Sequence, residues 1–214
     1  MSKKSNNIAN RRTLRRKQIF EGAVRVFAEK GYHSATVQEV AEAAGLAKGT
    51  VYEYVKTKED ILILVMEEGL AMIFEAVEKS LKKETDPVSR IKALIQVMLK
   101  VLNKYKKVMQ VVEHEIKGLS GSAYVKFQGL KRGYLCVVEE ILEDGVREKK
   151  FKPMDTLLCA ELLGHLCVFW SAYGVSPYEK SSLRKVTDTI TQIFLEGILQ
   201  KGDERSKARK NKCS

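Results

Sequence analysis

The chain has 214 residues, 44% hydrophobic and 30% charged, a balance ordinary for a soluble globular protein and long enough to bury a core in one or two domains. Its net charge of +11 points to a polyanionic partner, nucleic acid before an anionic membrane surface. Three prolines leave most of the chain free to be helical, and the absence of CxxC spacing argues against a disulfide framework or a zinc motif.

The excess charge gathers at the ends. Lys3, Lys4, Arg11, Arg12, Arg15, Arg16 and Lys17 have no acid among them, and Arg205, Lys207, Arg209, Lys210 and Lys212 repeat the theme. Residues 1–12 are predicted to form a disordered basic arm and 203–214 a disordered, solvated basic tail. The N-terminal stretch has no apolar run of the signal-peptide kind, and the longest apolar stretches read as too short and too interrupted to cross a membrane. Cys136, Cys159, Cys167 and Cys213 read as free thiols in a reducing cytoplasm, three of them buried. The chain is accordingly expected in the cytoplasm, associated with the nucleoid.

In chain order, helical spacing begins at Leu14 and carries Ile19, Ala23, Val26 and Phe27 to Gly31. Thr36 with Glu39 three residues later forms a capping box, opening a helix whose stripe is Val37, Val40, Ala41 and Ala44 and which Gly45 stops. A further helix is predicted from Lys48 to about Val55, and a long one after Thr57 through Ile61, Leu62, Val65, Leu70, Ile73 and Val77. Asp86 and Pro87 start the next. Helices then follow over about 108–119, 123–149, 155–173 and 183–199. No strand alternation and no repeat is evident, so the fold class is all-α, with a division near residues 57–62.

A capped helix, a short glycine-containing turn and a second short helix make a helix-turn-helix, in which the second helix enters the major groove. Lys48 can then reach a base edge or a phosphate, Thr50 a base edge through its hydroxyl or methyl, Gly49 lets backbone approach a base, and the Tyr52 and Tyr54 hydroxyls suit phosphate oxygens. Two apart on a helix, the tyrosines cannot share a face: one meets DNA and the other props the helix. Thr36 and Lys58, at helix N-termini, offer further phosphate contacts. The competing reading is a three-helix cap in which the tyrosines pack and the lysines are solvated.

Over Phe27–Leu62 these residues closely resemble the DNA-binding domain of the TetR family of bacterial transcriptional regulators. Phe27, Gly31, Tyr32, Thr36, Val40, Ala41, Ala44, Gly45, Lys48, Gly49, Thr50, Tyr52 and Lys58 match its pattern. Two departures stand out: Ala47 replaces the usual serine cap and Val55 the usual aromatic anchor. The resemblance implies a DNA-binding domain over 13–60 and a ligand-binding and dimerisation domain over 61–202. It implies a homodimer on a palindromic double-stranded operator, most often a repressor released by a small effector. Dimerisation through the last two helices would use Leu158, Leu162, Leu166 and Phe169, then Val186, Ile190, Ile193 and Leu195. The same stripes also suit an intrachain core.

An effector pocket in such a domain lies between helices and is mostly apolar. Met98, His114, Phe127, Tyr134, Trp170 and Tyr173 are its candidate lining, and a small apolar effector, such as an acyl-CoA or other lipid-like molecule, is the expected ligand. No enzyme is indicated. Glu113 and His114 point about 100° apart on a helix, Glu161 and His165 read as a helix-surface contact, and no metal site, cofactor motif or nucleophile set is seen.

Overall fold

The computed structural model describes residues 3–81, 84–119, 121–173 and 182–200. Among them run helices α1 (Lys3–Ser34), α2 (Val37–Ala44), α3 (Lys48–Tyr52), α4 (Lys58–Leu81), α5 (Pro87–Lys104), α6 (Lys106–Glu115), α7 (Gly121–Arg147), α8 (Thr156–Tyr173) and α9 (Leu183–Ile198), with a 3-10 turn at Ile116–Gly118. The described residues form no sheet; Phe151 and Leu199 make one isolated antiparallel bridge. The all-α class follows directly from the apolar stripes.

Three expectations need correction. The first helix starts at Lys3, where a disordered arm was expected through residue 12. No proline or glycine interrupts residues 3–21, and polarity alone does not break a helix. Only Cys167 is buried; Cys159 is half-buried and Cys136 exposed, because the inward stripe of α7 runs through Leu135, Val138, Ile141 and Leu142. Cys213 and the basic tail lie outside the described residues. Finally, the 18 residues of α8 are long and apolar enough, by composition, to cross a membrane. The helix is this apolar because it has two apolar faces, one packed in the core and one exposed, with a narrow polar stripe between them.

Gly31 has φ 76° and ψ 173°, a conformation closed to other residues, and it bends the end of α1 before the next helix. Two cores divide the chain. In the first, Ile19, Phe20, Ala23 and Phe27 of α1 pack on Val40, Ala41, Val51, Val55, Ile61 and Leu62. In the second, Ile91, Leu94, Ile95 and Leu99 pack with Val138, Ile141, Leu142, Leu163, Cys167, Leu195 and Ile198. Each buried Val, Leu, Ile or Phe among them contributes about 1.5–3 kcal/mol.

Two helices serve both halves. Helix α4 places Ile61, Leu62, Leu64 and Val65 in the first core and Ile73 and Val77 in the second. Helix α6, although beyond the division, packs Val108 and Val112 into the first core against α1. Arg16 locks α1 to α4 through Glu67 and Glu68, at 2.7 Å each. Burial pulls its pKa down, but the two carboxylates outweigh that and hold it above the ordinary value. The two halves are therefore mechanically joined through α1, α4 and α6.

Candidate DNA-binding surface and effector cavity

Helix α2 is held at both ends by its own sequence. The Thr36 hydroxyl accepts the Glu39 N–H at 3.2 Å, and the Glu39 carboxylate accepts the Thr36 N–H at 3.0 Å. Lys30 reaches the same carboxylate at 2.5 Å, and Lys30 and Thr36 together hold Glu39 below the usual carboxylate range. At the other end Gly45 adopts φ 65°, so that Leu46 N–H bonds Ala41 O at 2.9 Å and Gly45 N–H bonds Glu42 O at 3.0 Å. Arg25 of α1 donates to the Ala43 carbonyl. Gly22 sets how closely α1 and α2 cross. A methyl there would lie 2.7 Å from Val40 O and 2.8 Å from Ala44 N, both backbone atoms.

Helix α3 is a single turn and a half, shorter than the predicted span to Val55. After Tyr52 the chain tightens, with Glu53 N–H on Thr50 O and Tyr54 N–H on Val51 O. Ala47 gives no side-chain cap, as the departure from the family serine implied. Val51 and Val55 are buried, and Tyr54 packs beside them against the same core. Lys48 and Gly49 are exposed, while Thr50 and Tyr52 are half-exposed. The Lys48 ammonium sits 5.9 Å over the Tyr52 ring. The two tyrosines, both half-exposed, thus divide: Tyr54 packs against the core and Tyr52 is not among the residues packed on it.

Helix α4 opens with a second capping box that the sequence reading missed, although Thr57 and Asp60 have the required spacing. Asp60 accepts the N–H groups of Lys56 and Thr57 at 2.9 and 3.1 Å, and the Thr57 hydroxyl accepts the Asp60 N–H at 3.1 Å. Burial opposes ionisation of Asp60, but these bonds and Lys126 hold its pKa below the ordinary value. Lys58 donates to the His33 carbonyl at 2.8 Å and lies 4.7 Å over the Tyr32 ring. It therefore pins the bend after α1 to the start of α4.

Behind this unit lies an apolar cavity of about 220 Å³. Phe20 and Val24 of α1 and Val65, Met66 and Leu70 of α4 form one wall. Met98 and Leu102 of α5, Tyr105 at the α5–α6 junction, Met109 and Val112 of α6, and Phe127, Leu130 and Tyr134 of α7 form others. Helix α8 contributes the stripe Glu161, Gly164, His165 and Val168. The polar groups are few: Glu113, His165, the Tyr105 and Tyr134 hydroxyls, and Lys131 paired with Glu161 at 2.9 Å. Tyr134 donates to the Met98 sulfur at 3.3 Å, and burial keeps its phenol protonated.

Of the six residues expected to line a pocket, the structure brings together Met98, Phe127 and Tyr134 and leaves out His114, Trp170 and Tyr173. Glu113 faces the cavity, so its neighbour His114 turns outward, 78% exposed against Glu115. The cavity stripe of α8 is 161, 164, 165 and 168. Trp170 falls off it and packs against the larger core, and Tyr173 lies 56% exposed beside Phe169. The α1 and α4 walls and the Lys131–Glu161 pair were missed. They depend on which helices meet across the void, which local spacing does not encode.

The dimer stripe separates likewise. Leu158, Leu162, Leu166, Phe169 and Tyr173 of α8, with Ile193 of α9, form an exposed apolar face, 46% to 63% exposed. Val186 and Leu195 instead are buried within the chain, and Ile190 packs against its core.

A surface helix-turn-helix, joined by shared helices to a helical body that encloses an apolar cavity, is the layout of a DNA-binding protein. Residues 19–65 match the model of bacterial regulatory proteins of the tetR family, and residues 84–198 match that of the tetracyclin repressor-like C-terminal domain. The chain belongs to the TetR family and is a DNA-binding transcriptional regulator, not an enzyme. It is 27% identical over 185 residues to the fatty acid metabolism regulator protein of Bacillus subtilis, covering 86% of this chain and 95% of that one. It is 25% identical over 197 residues to the transcriptional repressor KstR2 of Mycolicibacterium smegmatis, covering 90% and 95%. The solved structure of FadR from Bacillus subtilis in complex with stearoyl-CoA superposes with a TM-score of 0.75 at 27% identity, covering 85% of this chain and 98% of that one.

Proposed function

We propose that the chain is a repressor, acting in the cytoplasm, that binds a near-palindromic operator as a homodimer and is released by a long-chain acyl-CoA. Residues 13–60 bind DNA, and residues 61–202 bind effector and dimerise. The observation that carries the reading is the cavity, whose walls include Phe20 and Val24 of α1 and Val65 of α4. These helices also hold α2 and α3 in place. At about 220 Å³ the cavity is somewhat smaller than the roughly 300–1,000 Å³ of typical ligand pockets. An acyl tail enters only by spreading these walls. That spreading shifts α1 and α4, and with them the recognition helix.

The relatives support the ligand class, since the Bacillus subtilis structure holds stearoyl-CoA. The polar groups support a thioester over a free fatty acid. The cavity lining carries two carboxylates, Glu113 and Glu161, against one lysine, Lys131, so the carboxylate of a fatty acid would meet like charge there and the thioester linkage would not. The exposed stripe from Leu158 to Tyr173, with Ile193, is the dimer face, packed against its two-fold copy. On DNA, Lys48, Gly49 and Thr50 meet base edges and Tyr52 a phosphate. Thr36 and Lys58 lie at the flanking helix starts beside the backbone, and Tyr54 props the helix from within.

Selection of bound duplexes from a random pool, followed by footprinting, tests the DNA side. The reading expects two inverted half-sites centred roughly 34–36 Å apart or a multiple of this. A single unpaired half-site would contradict it.

A further inference from the structure

His33, His114 and Glu115 meet where the end of α1 touches the end of α6. Glu115 Oε1 lies 3.3 Å from His33 Nε2 and 2.9 Å from His114 Nδ1. All three donor atoms fall within 4.8 Å of one another. Zinc-class ions bind such nitrogen and oxygen donors at about 2.0–2.2 Å, which sets tetrahedral ligands about 3.3–3.5 Å apart. The His33–Glu115 pair, at 3.3 Å, is already at that spacing, and the His114–Glu115 pair, at 2.9 Å, must open slightly to reach it. The third closes by rotation of the two imidazoles, which are 79% and 78% exposed, around a Glu115 side chain only 13% exposed. The surrounding surface is an open concavity that includes Gly31, Lys107 and Gln110, so an ion enters from solvent and keeps water in its remaining position.

The position of the cluster gives it consequence. His33 lies between the Gly31 bend and the Thr36 cap of α2, and its carbonyl already holds Lys58. Glu115 and His114 end α6, whose Val112 and Glu113, with the following Ile116, line the cavity. We propose that His33, His114 and Glu115 form a binding site for a divalent transition-metal ion of the zinc class. The ion clasps the entry to the helix-turn-helix onto the effector wall. No local spacing announces it, because the first ligand is remote in sequence from the other two.

The test uses tag-free protein. Calorimetric titration with Zn²⁺ should show a single ion per chain, and Co²⁺ should give ligand-field absorption of a low-coordinate nitrogen and oxygen site. His33→Ala and His114→Ala, both at exposed positions, should each weaken Zn²⁺ at least about tenfold, while Cys136→Ser with Cys159→Ser leaves it unchanged. Zn²⁺ should also slow amide exchange over residues 31–36 in the natural sequence and not in the histidine variants. Zn²⁺ affinity untouched by both histidine substitutions, or no stoichiometric binding at all, overturns the site. Binding without slowed exchange overturns the clasp.

Discussion

Two glycines in the DNA-binding unit should respond to the same substitution with opposite signs. An alanine methyl at Gly22 falls 2.7 Å from Val40 O, 2.8 Å from Ala44 N and 3.0 Å from Ala44 Cβ. Two of these are backbone atoms that no rotamer change can move, so α2 must shift bodily away from α1. Overpacking of this kind costs about 1–3 kcal/mol, against about 1 kcal/mol gained from better helix propensity. Because two of the clashes are with backbone, the upper part of that cost, about 2–3 kcal/mol, applies, and Gly22→Ala should destabilise by about 1–2 kcal/mol, a fall in Tm of about 2–8 °C at roughly 2–4 °C per kcal/mol. It should weaken operator binding as well, because α2 carries α3 with it. Gly49 has nothing within 4 Å of the added methyl. Gly49→Ala should leave Tm unchanged or raised, yet weaken operator binding, because the methyl stands between helix and base edge. Calorimetric melting and operator titration by fluorescence anisotropy separate the two. A Gly22→Ala protein as stable as the natural chain would refute the close-crossing argument. Unimpaired binding by Gly49→Ala would refute the placement of α3 in the groove.

Gly69 borders the cavity with open space beside it. Gly69→Leu should keep operator affinity while raising the acyl-CoA concentration needed for release at least about tenfold, or about 1.4 kcal/mol, as read by anisotropy. Leu162 is 54% exposed on α8, so Leu162→Arg should fold but sediment as a monomer. Its operator affinity should fall by at least about a hundredfold as the second half-site contact is lost. Glu39 and Asp60 have folded pKa values below their ordinary ones. Their contribution is therefore full above the unfolded pKa, near 4, and is lost as pH falls through the folded value. Melting temperature should drop in that acid window, and Glu39→Gln with Asp60→Asn should flatten the dependence.

What could be read beforehand depended on how local its cause was. The Thr36–Glu39 box and the Gly45 stop involve neighbours in sequence, and both formed as spacing predicted. Apolar stripes located the helices, but not which stripe met which. Leu158 and Leu195 both read as dimer candidates, yet the first is exposed and the second buried. Glu161 seemed matched to His165 by its i,i+4 spacing, whereas its partner is Lys131 on another helix. His114 was placed in the pocket and is turned out of it, because adjacent residues on a helix face different ways. The arm's polarity was read as disorder, although nothing in residues 3–21 breaks a helix.

The central claim is that an acyl-CoA in the cavity releases the operator. It is tested most directly by titrating stearoyl-CoA into the preformed protein–operator complex and following anisotropy, with free stearate as the parallel arm. The account predicts saturable release by the thioester at one ligand per chain and little effect of the free acid. A complex that stays intact as stearoyl-CoA saturates the protein, or one that stearate releases equally well, would contradict it.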